Sequence, residues 1–289
     1  MSGNDSFQRF LFEDLGIRGE FVRLDASWQA VRANHAYPPV VASQLGQSLA
    51  AAVLLSGTIK FKGSLILQAQ SRGPLRTLVA QATHTRTIRG LAQWEGPVEA
   101  GTLQHVFGPG RLVLTIQNEG VEPYQGIVAL EGSLLSEAIQ TYFTLSEQLA
   151  TRLWLAADGE TAAGLFIQEL PSRLKNEGDW ERIGYLADTV TEGELLRLPG
   201  KEVLYRLFNE ERVRLFEPEP VAFRCNCSRE RIEGVLLAMG RQEVESVVAA
   251  QGSLEVDCEF CNRHYHFDRV DVGALFGREV RIPSILTRQ

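Results

Sequence analysis

Several things are scarce in this 289-residue chain, and each scarcity excludes something. Cysteine is absent from the first 224 residues, so neither disulfides nor thiolate-bound metal can support the larger part of the fold. Long apolar runs are missing too. The longest strongly apolar stretch, Leu49 to Leu55, falls far short of the roughly 20 residues that cross a bilayer. Positive charge is outnumbered, with 29 Lys and Arg against 36 Asp and Glu and a net charge of −7, which opposes the phosphate attraction behind non-specific nucleic-acid binding. The N-terminus mixes Asp5, Glu13 and Asp14 with Phe7, Phe10, Leu11 and Phe12, and so lacks the basic region and apolar core of an export signal. These absences predict a cytoplasmic protein in a reducing compartment, with neither membrane nor nucleic acid as partner. Signatures of hydrolytic or phosphoryl chemistry are also wanting: there is no Gly-rich phosphate loop, no G-x-S-x-G and no H-E-x-x-H. His35, His84 and His105 stand isolated, and no catalytic residue is assigned; the chain reads as a non-enzyme.

What is present falls into three parts, predicting an α+β protein: a large N-terminal mixed sheet-and-helix domain over 1–177, a helical linker over 178–222 and a small C-terminal zinc-binding domain over 223–289. In the first part, β-rich or alternating runs at Ser64–Gln70, Leu75–Ala82, Thr87–Gln93, Arg111–Gln117 and Tyr124–Leu130 alternate with Gly- and Pro-bearing turns, which reads as largely antiparallel strands. Arg152–Ala157 and Gly164–Glu169 add two more before Pro171 closes the domain. Val40–Ser56 predicts a helix apolar on most of its surface and therefore buried; Leu134–Leu149 predicts a second, with Ser133 as its cap. The linker carries two apolar stripes, Trp180, Ile183, Leu186 and Val190, then Val203, Leu204, Leu207 and Phe208, and ends at Glu217-Pro218-Glu219-Pro220, where the prolines forbid further helix.

The last part holds all four cysteines, Cys225, Cys227, Cys258 and Cys261. Cys225-Asn226-Cys227 precedes a helix that Ser228 can cap and Gly240 can end; a second helix, Gln242–Ala250, stops at Gly252. Leu254–Cys258 and Arg263–Phe267 then form a hairpin turning through Glu259-Phe260-Cys261-Asn262, a knuckle that aims two sulfurs at one point. Two close thiol pairs brought together by a fold are the usual makings of a tetrahedral zinc site. His264 and His266 lie near enough to compete as ligands, but four thiolates complete the shell and the histidines read as surface or packing residues. Oxidation can join Cys225 to Cys227 and Cys258 to Cys261 locally, and sulfurs bonded to each other no longer hold zinc as thiolates. Structural zinc contributes on the order of 10–16 kcal/mol in small peptides. A module of roughly 65 residues draws only about 3–5 kcal/mol from its own core. Losing the metal should therefore unfold the module, loosen the linker and bare the stripe of Leu204, Leu207 and Phe208, a surface suited to unfolded chains.

The stretches FNEERVRLFEP (Phe208–Pro218), FRCNCSRERI (Phe223–Ile232) and VDCEFCNRHYHFD (Val256–Asp268) closely resemble the redox-regulated chaperone family called heat shock protein 33. GPLRTLVAQA (Gly73–Ala82), YQGIVALEG (Tyr124–Gly132) and SEQLATRLWLA (Ser146–Ala156) resemble it as well, so the likeness covers nearly the whole chain. The resemblance implies a reduced, inactive state with one Zn2+ on the four cysteines. It further implies activation by oxidants, loss of zinc, unfolding of module and linker, and an ATP-independent holdase that is commonly a homodimer when oxidised. Clients would pass to ATP-dependent foldase chaperones. Two rivals remain on the residues alone. A zinc-ribbon nucleic-acid regulator needs a basic face, whereas Phe223 to Gln289 carries nine arginines, no lysine and ten acids. A thiol oxidoreductase would use Cys258 and Cys261 as a redox couple opening a helix, whereas here they fall in a predicted hairpin turn.

Overall fold

The structure is a computed structural model that describes residues 5–171 and 178–277. It is an α+β protein with two compact units, one ending at Arg224 and one beginning at Cys225. The expected 177/178 boundary adjoins residues 172–177, which lie outside the described residues.

The first unit is built around the helix Pro39–Thr58, in which every residue from Ser48 to Ser56 is buried. More than two full turns of unbroken burial leave the helix no solvent face. It packs against strands of two sheets, which is why apolar residues surround it. By length and composition this helix could also cross a bilayer, because its apolar character runs past Leu49–Leu55 through alanines and small residues; here 72% of it is buried inside the protein.

One sheet has the strand order Ala222–Phe223, Thr87–Trp94, Leu75–Thr83, Gly63–Ser71, Gly110–Asn118, Tyr124–Ala129, antiparallel throughout except for the first pair. Its long strands lie where alternation predicts them, with Leu65, Leu67 and Ala69 in the core and Gln68 and Gln70 opposite. The other sheet has the order Val213–Leu215, Ser6–Phe12, Ile17–Leu24, Ala162–Glu169, Thr151–Ala157, with Glu219–Pro220 also pairing Ser6–Phe12. This sheet is covered on both faces. Phe7, Val22, Leu24 and Phe166 turn inward to the central helix, while Phe10, Phe12, Ile17, Phe21 and Leu165 form a second core on the outside.

That outer core is completed by the predicted linker. Helices Asp179–Ala187, Glu192–Arg197 and Gly200–Phe208 lay Ile183, Leu195, Val203, Leu204, Leu207 and Phe208 on the sheet, all buried. The Phe208 ring meets Phe12 edge-on at 4.9 Å between centroids. Gly200 lets the last helix sit this close, since a Cβ there would come 2.5 Å from the Phe21 ring. The linker is helical only to Phe208. Beyond it the chain runs extended along the edges of both sheets, and Glu219 bridges them, pairing with Arg9 at 2.8 Å and Arg86 at 3.0 Å.

The helix predicted over Leu134–Leu149 is shorter, Leu135–Tyr142, followed by a π turn, Phe143–Glu147. Ser133 does not cap it. Leu134 takes that position, and Glu137 reaches back to accept from the Ser133 backbone N–H at 2.6 Å.

The second unit contains helices Arg229–Met239, Arg241–Gln251 and Arg269–Gly277 and the hairpin Leu254–Asp257/His264–Phe267. The Ser228 hydroxyl caps the first helix, accepting from the Arg231 N–H at 3.3 Å, and Gly240 ends it. Its core is thin: Leu236, Val244, Val248, Cys258, Tyr265, Phe267 and Val272.

Candidate metal centre

Two local structures deliver the four sulfurs. The extended segment ahead of Ser228 carries Cys225 and Cys227, and the hairpin turn carries Cys258 and Cys261. The turn closes through the Cys258 N–H donating to the Arg263 carbonyl at 2.9 Å, while the Asn262 N–H donates to the Cys258 carbonyl at 2.7 Å. Asn262 takes the left-handed conformation, φ 50°, that such a reversal needs and that Asn tolerates. Backbone N–H groups of the turn, from Phe260 and Cys261 toward Cys258 and from Arg263 toward Cys261, point at sulfur and favour its anionic form. The C-x-x-C pair thus spans a hairpin turn rather than opening a helix, unlike the redox couple of a thiol oxidoreductase.

The four Sγ atoms all lie within 4.8 Å of one another, with Cys225 to Cys258 at 3.6 Å and Cys227 to Cys261 at 3.4 Å. Metal–sulfur bonds of about 2.3 Å in a tetrahedron put the sulfurs about 3.8 Å apart. The cluster is therefore of the size a single ion needs, and its donor set is uniformly soft thiol. It could hold a metal ion.

Electrostatics argue the same way. Burial opposes ionisation of Cys227, but hydrogen bonding by Tyr265 and the other three thiols outweighs it and brings the group down to about 7. Burial pushes Cys258 upward, with Cys225 adding to the rise and Cys261 opposing it, and pushes Cys261 up to about 12, where the other three thiols add to the rise. A divalent ion at the centre offsets these rises and lets all four ionise. The Tyr265 hydroxyl is buried, makes no hydrogen bond of full geometry among the described residues, and interacts with Cys227 and Arg263. Sequence reasoning passed over this residue. Alternation along His264–Phe267 was the available signal: Tyr265 and Phe267 are buried, His264 and His266 exposed.

The histidines stay away from the sulfurs. His264 Nδ1 lies 2.8 Å from Asp257, His266 Nε2 lies 3.5 Å from Glu255, and hydrogen bonding to Asp257 raises the His264 pKa. Leu204, Leu207 and Phe208, predicted to meet clients, belong to the first unit, where they are buried in its outer core. Any contact with another chain requires them to leave it.

Comparison with known proteins gives concordant matches. Residues 5–268 match the family described as Hsp33 protein. A 33 kDa chaperonin of Nitrosococcus oceani is 66% identical over 288 residues, covering 100% of both chains. One of Pseudomonas aeruginosa is 47% identical over 285 residues, covering 96% of each. Among solved structures, a 33 kDa chaperonin of Thermotoga maritima, a heat shock protein 33 homolog, has the same fold, with a TM-score of 0.83 over 95% of this chain and 98% of that one at 24% identity.

Proposed function

The chain belongs to the heat shock protein 33 family of chaperones, and from that premise we propose that it is a redox-regulated, ATP-independent holdase whose switch is the four-cysteine cluster. The observation that carries this reading is the gathering of Cys225, Cys227, Cys258 and Cys261 within 4.8 Å, in a unit whose described residues build a small core of seven buried side chains. Zinc is the ion that suits four thiolates in tetrahedral array; bound there it would tie the segment before Ser228 to the hairpin.

In the reduced state the cysteines hold the second unit folded and the protein is inactive. An oxidant such as peroxide takes two electrons from each thiol pair. The disulfides Cys225–Cys227 and Cys258–Cys261 form, the ligands are lost, and the unit unfolds. The linker, 178–222, loosens in turn, and the surface of Leu204, Leu207 and Phe208 becomes available to unfolding client proteins. The oxidised protein works as a homodimer in the cytoplasm, holds clients without turnover, and gives them up to ATP-dependent foldases after reduction. The three-part division at 177 and 222 is then a division by role: stable body, releasable client-binding linker and sensor.

The test is zinc content together with suppression of citrate synthase aggregation, before and after peroxide at elevated temperature. Loss of about one zinc per chain with a gain in suppression is expected. Retained zinc, or release without any gain, rejects the switch.

A further inference from the structure

An open cavity of about 660 Å³ lies where the C-terminal end of the central helix meets both sheets. Its volume is in the roughly 300–1,000 Å³ range of small-molecule sites, but its lining is not that of an apolar ligand site. Arg9, Arg18, Lys60, Lys62, Arg86 and His84 surround it, with Ile59 and Phe61 as its apolar side chains and no carboxylate among the lining residues. Such a concentration of cations is unexpected in a chain of net charge −7 and focuses a positive potential into the cavity.

Part of this charge serves the fold. Arg18 donates to the Thr58 carbonyl at the helix end, 3.4 Å, and to Gln168, 3.1 Å; Arg86 donates to Ser56 Oγ, 2.6 Å, and stacks on Phe7. Arg9 and Arg86 share one acid, Glu219. Lys60 and Lys62 do neither. Both are exposed at the cavity and lack an acidic partner among the described residues. Glu20, buried beneath, leaves Oε2 without a partner and does not neutralise the group at neutral pH, since burial raises its pKa to about 8.

We propose that this cavity binds a multivalent phosphate chain, with Lys60 and Lys62 gripping it from the rim and the N–H groups of Arg9 and Arg18 not engaged with Glu219, Gln168 and Thr58 facing its oxygens. Guanidinium pairs match tetrahedral phosphate oxygens bidentately, and a cavity of this size with cations on several sides suits a chain of phosphates better than a single ion.

Isothermal titration calorimetry of the reduced full-length protein with sodium tripolyphosphate at low salt tests this. One-site saturable binding is expected. The double variant Lys60→Glu, Lys62→Glu, both at exposed positions, should weaken it at least about tenfold, while Lys201→Glu, outside the cavity, leaves it unchanged; tryptophan fluorescence melts confirm that each variant is folded. ATP and adenosine identify the source of the chain. Competition by ATP at similar affinity, with adenosine inert, points to the phosphates alone, and much tighter ATP binding points to a nucleotide carrying the same chain. No saturation up to about 1 mM, equal binding by the double variant, or displacement by citrate or polyglutamate at matched concentration overturns the proposal.

Discussion

The two units of this molecule are held together by different physics. The first has a helix buried between two six-stranded sheets and a second core outside one of them, so its stability is spread over dozens of apolar side chains. Among its described residues the second has a two-stranded hairpin, three helices and seven buried side chains, one of them a cysteine of the four-thiol cluster. Distributed burial resists any single chemical event. Ligation concentrated at four atoms would not, and on the proposed function that difference lets one chain combine a durable body with a disposable sensor.

The strongest way to break the comparison is to remove the metal. Chelation, or Cys258→Ser, should abolish amide protection in the second unit while the sheets of the first keep theirs, a selective loss on the scale of the ~10–16 kcal/mol such ions contribute. Hydrogen exchange resolves the two; retained protection after 225 would mean that the thin core suffices. All four tryptophans, Trp28, Trp94, Trp154 and Trp180, lie in the first unit, so their fluorescence should stay constant through the same treatment.

Phe208→Ala tests how firmly the linker is held within the first unit. It removes a ring packed on Phe10 and Phe12 and should weaken linker docking by about 3–5 kcal/mol. If the stripe is the concealed client surface, this variant suppresses aggregation without oxidant. If it stays inactive, docking is merely structural.

Smaller by comparison is a pH effect confined to the first unit. Burial lifts Glu20 from 4.5 to about 8, only partly opposed by Arg18, Arg86 and Arg9, so the folded state binds a proton that the unfolded state gives up. Its contribution is complete below about pH 4.5 and is lost as pH rises through 8. Unfolding free energies from urea curves read by tryptophan fluorescence should fall between pH 6 and 9, by on the order of a few kcal/mol, and Glu20→Gln should flatten that slope. Ser228→Ala, which removes a helix cap beside the cluster, should cost about 1 kcal/mol and lower zinc affinity slightly. His264→Ala should leave zinc content untouched, because that ring pairs with Asp257 and Glu255.

The sequence was most legible where one face of an element is wet. Gly63–Ser71 and Tyr124–Ala129 come close to alternating, and the ends of all five strands between 63 and 130 fall within a residue of expectation. The cysteine module was legible for another reason: caps, glycines and C-x-x-C spacing are local signals that owe nothing to distant contacts. Ser6–Phe12 and Ile17–Leu24 went unread because their sheet is buried on both sides. Phe7 points to one core, Phe10 and Phe12 to the other, and the period of two disappears. Val213–Leu215 fell within the expected helical linker and is instead a strand, and only the proline segment holding Glu219–Pro220 was expected to be extended; their partners in Ser6–Phe12 lie about 200 residues earlier in the chain. Helix Arg269–Gly277, carrying two glycines and a single buried residue, Val272, gave too weak a pattern to find.

The extended segment from Val213 to Phe223 also has a mechanical meaning. It is stitched along Phe12 to Phe10, then Phe7 and Ser6, then Thr87 and Ile88, in the order of its own chain. Tension applied from its C-terminal end loads the Phe223 pairing first, then the Glu219 bridge, then Leu215, each rung bearing the pull alone. Such a seam peels under a force that would leave a strand sheared lengthwise in place, and it peels in one direction, from the tail toward the body.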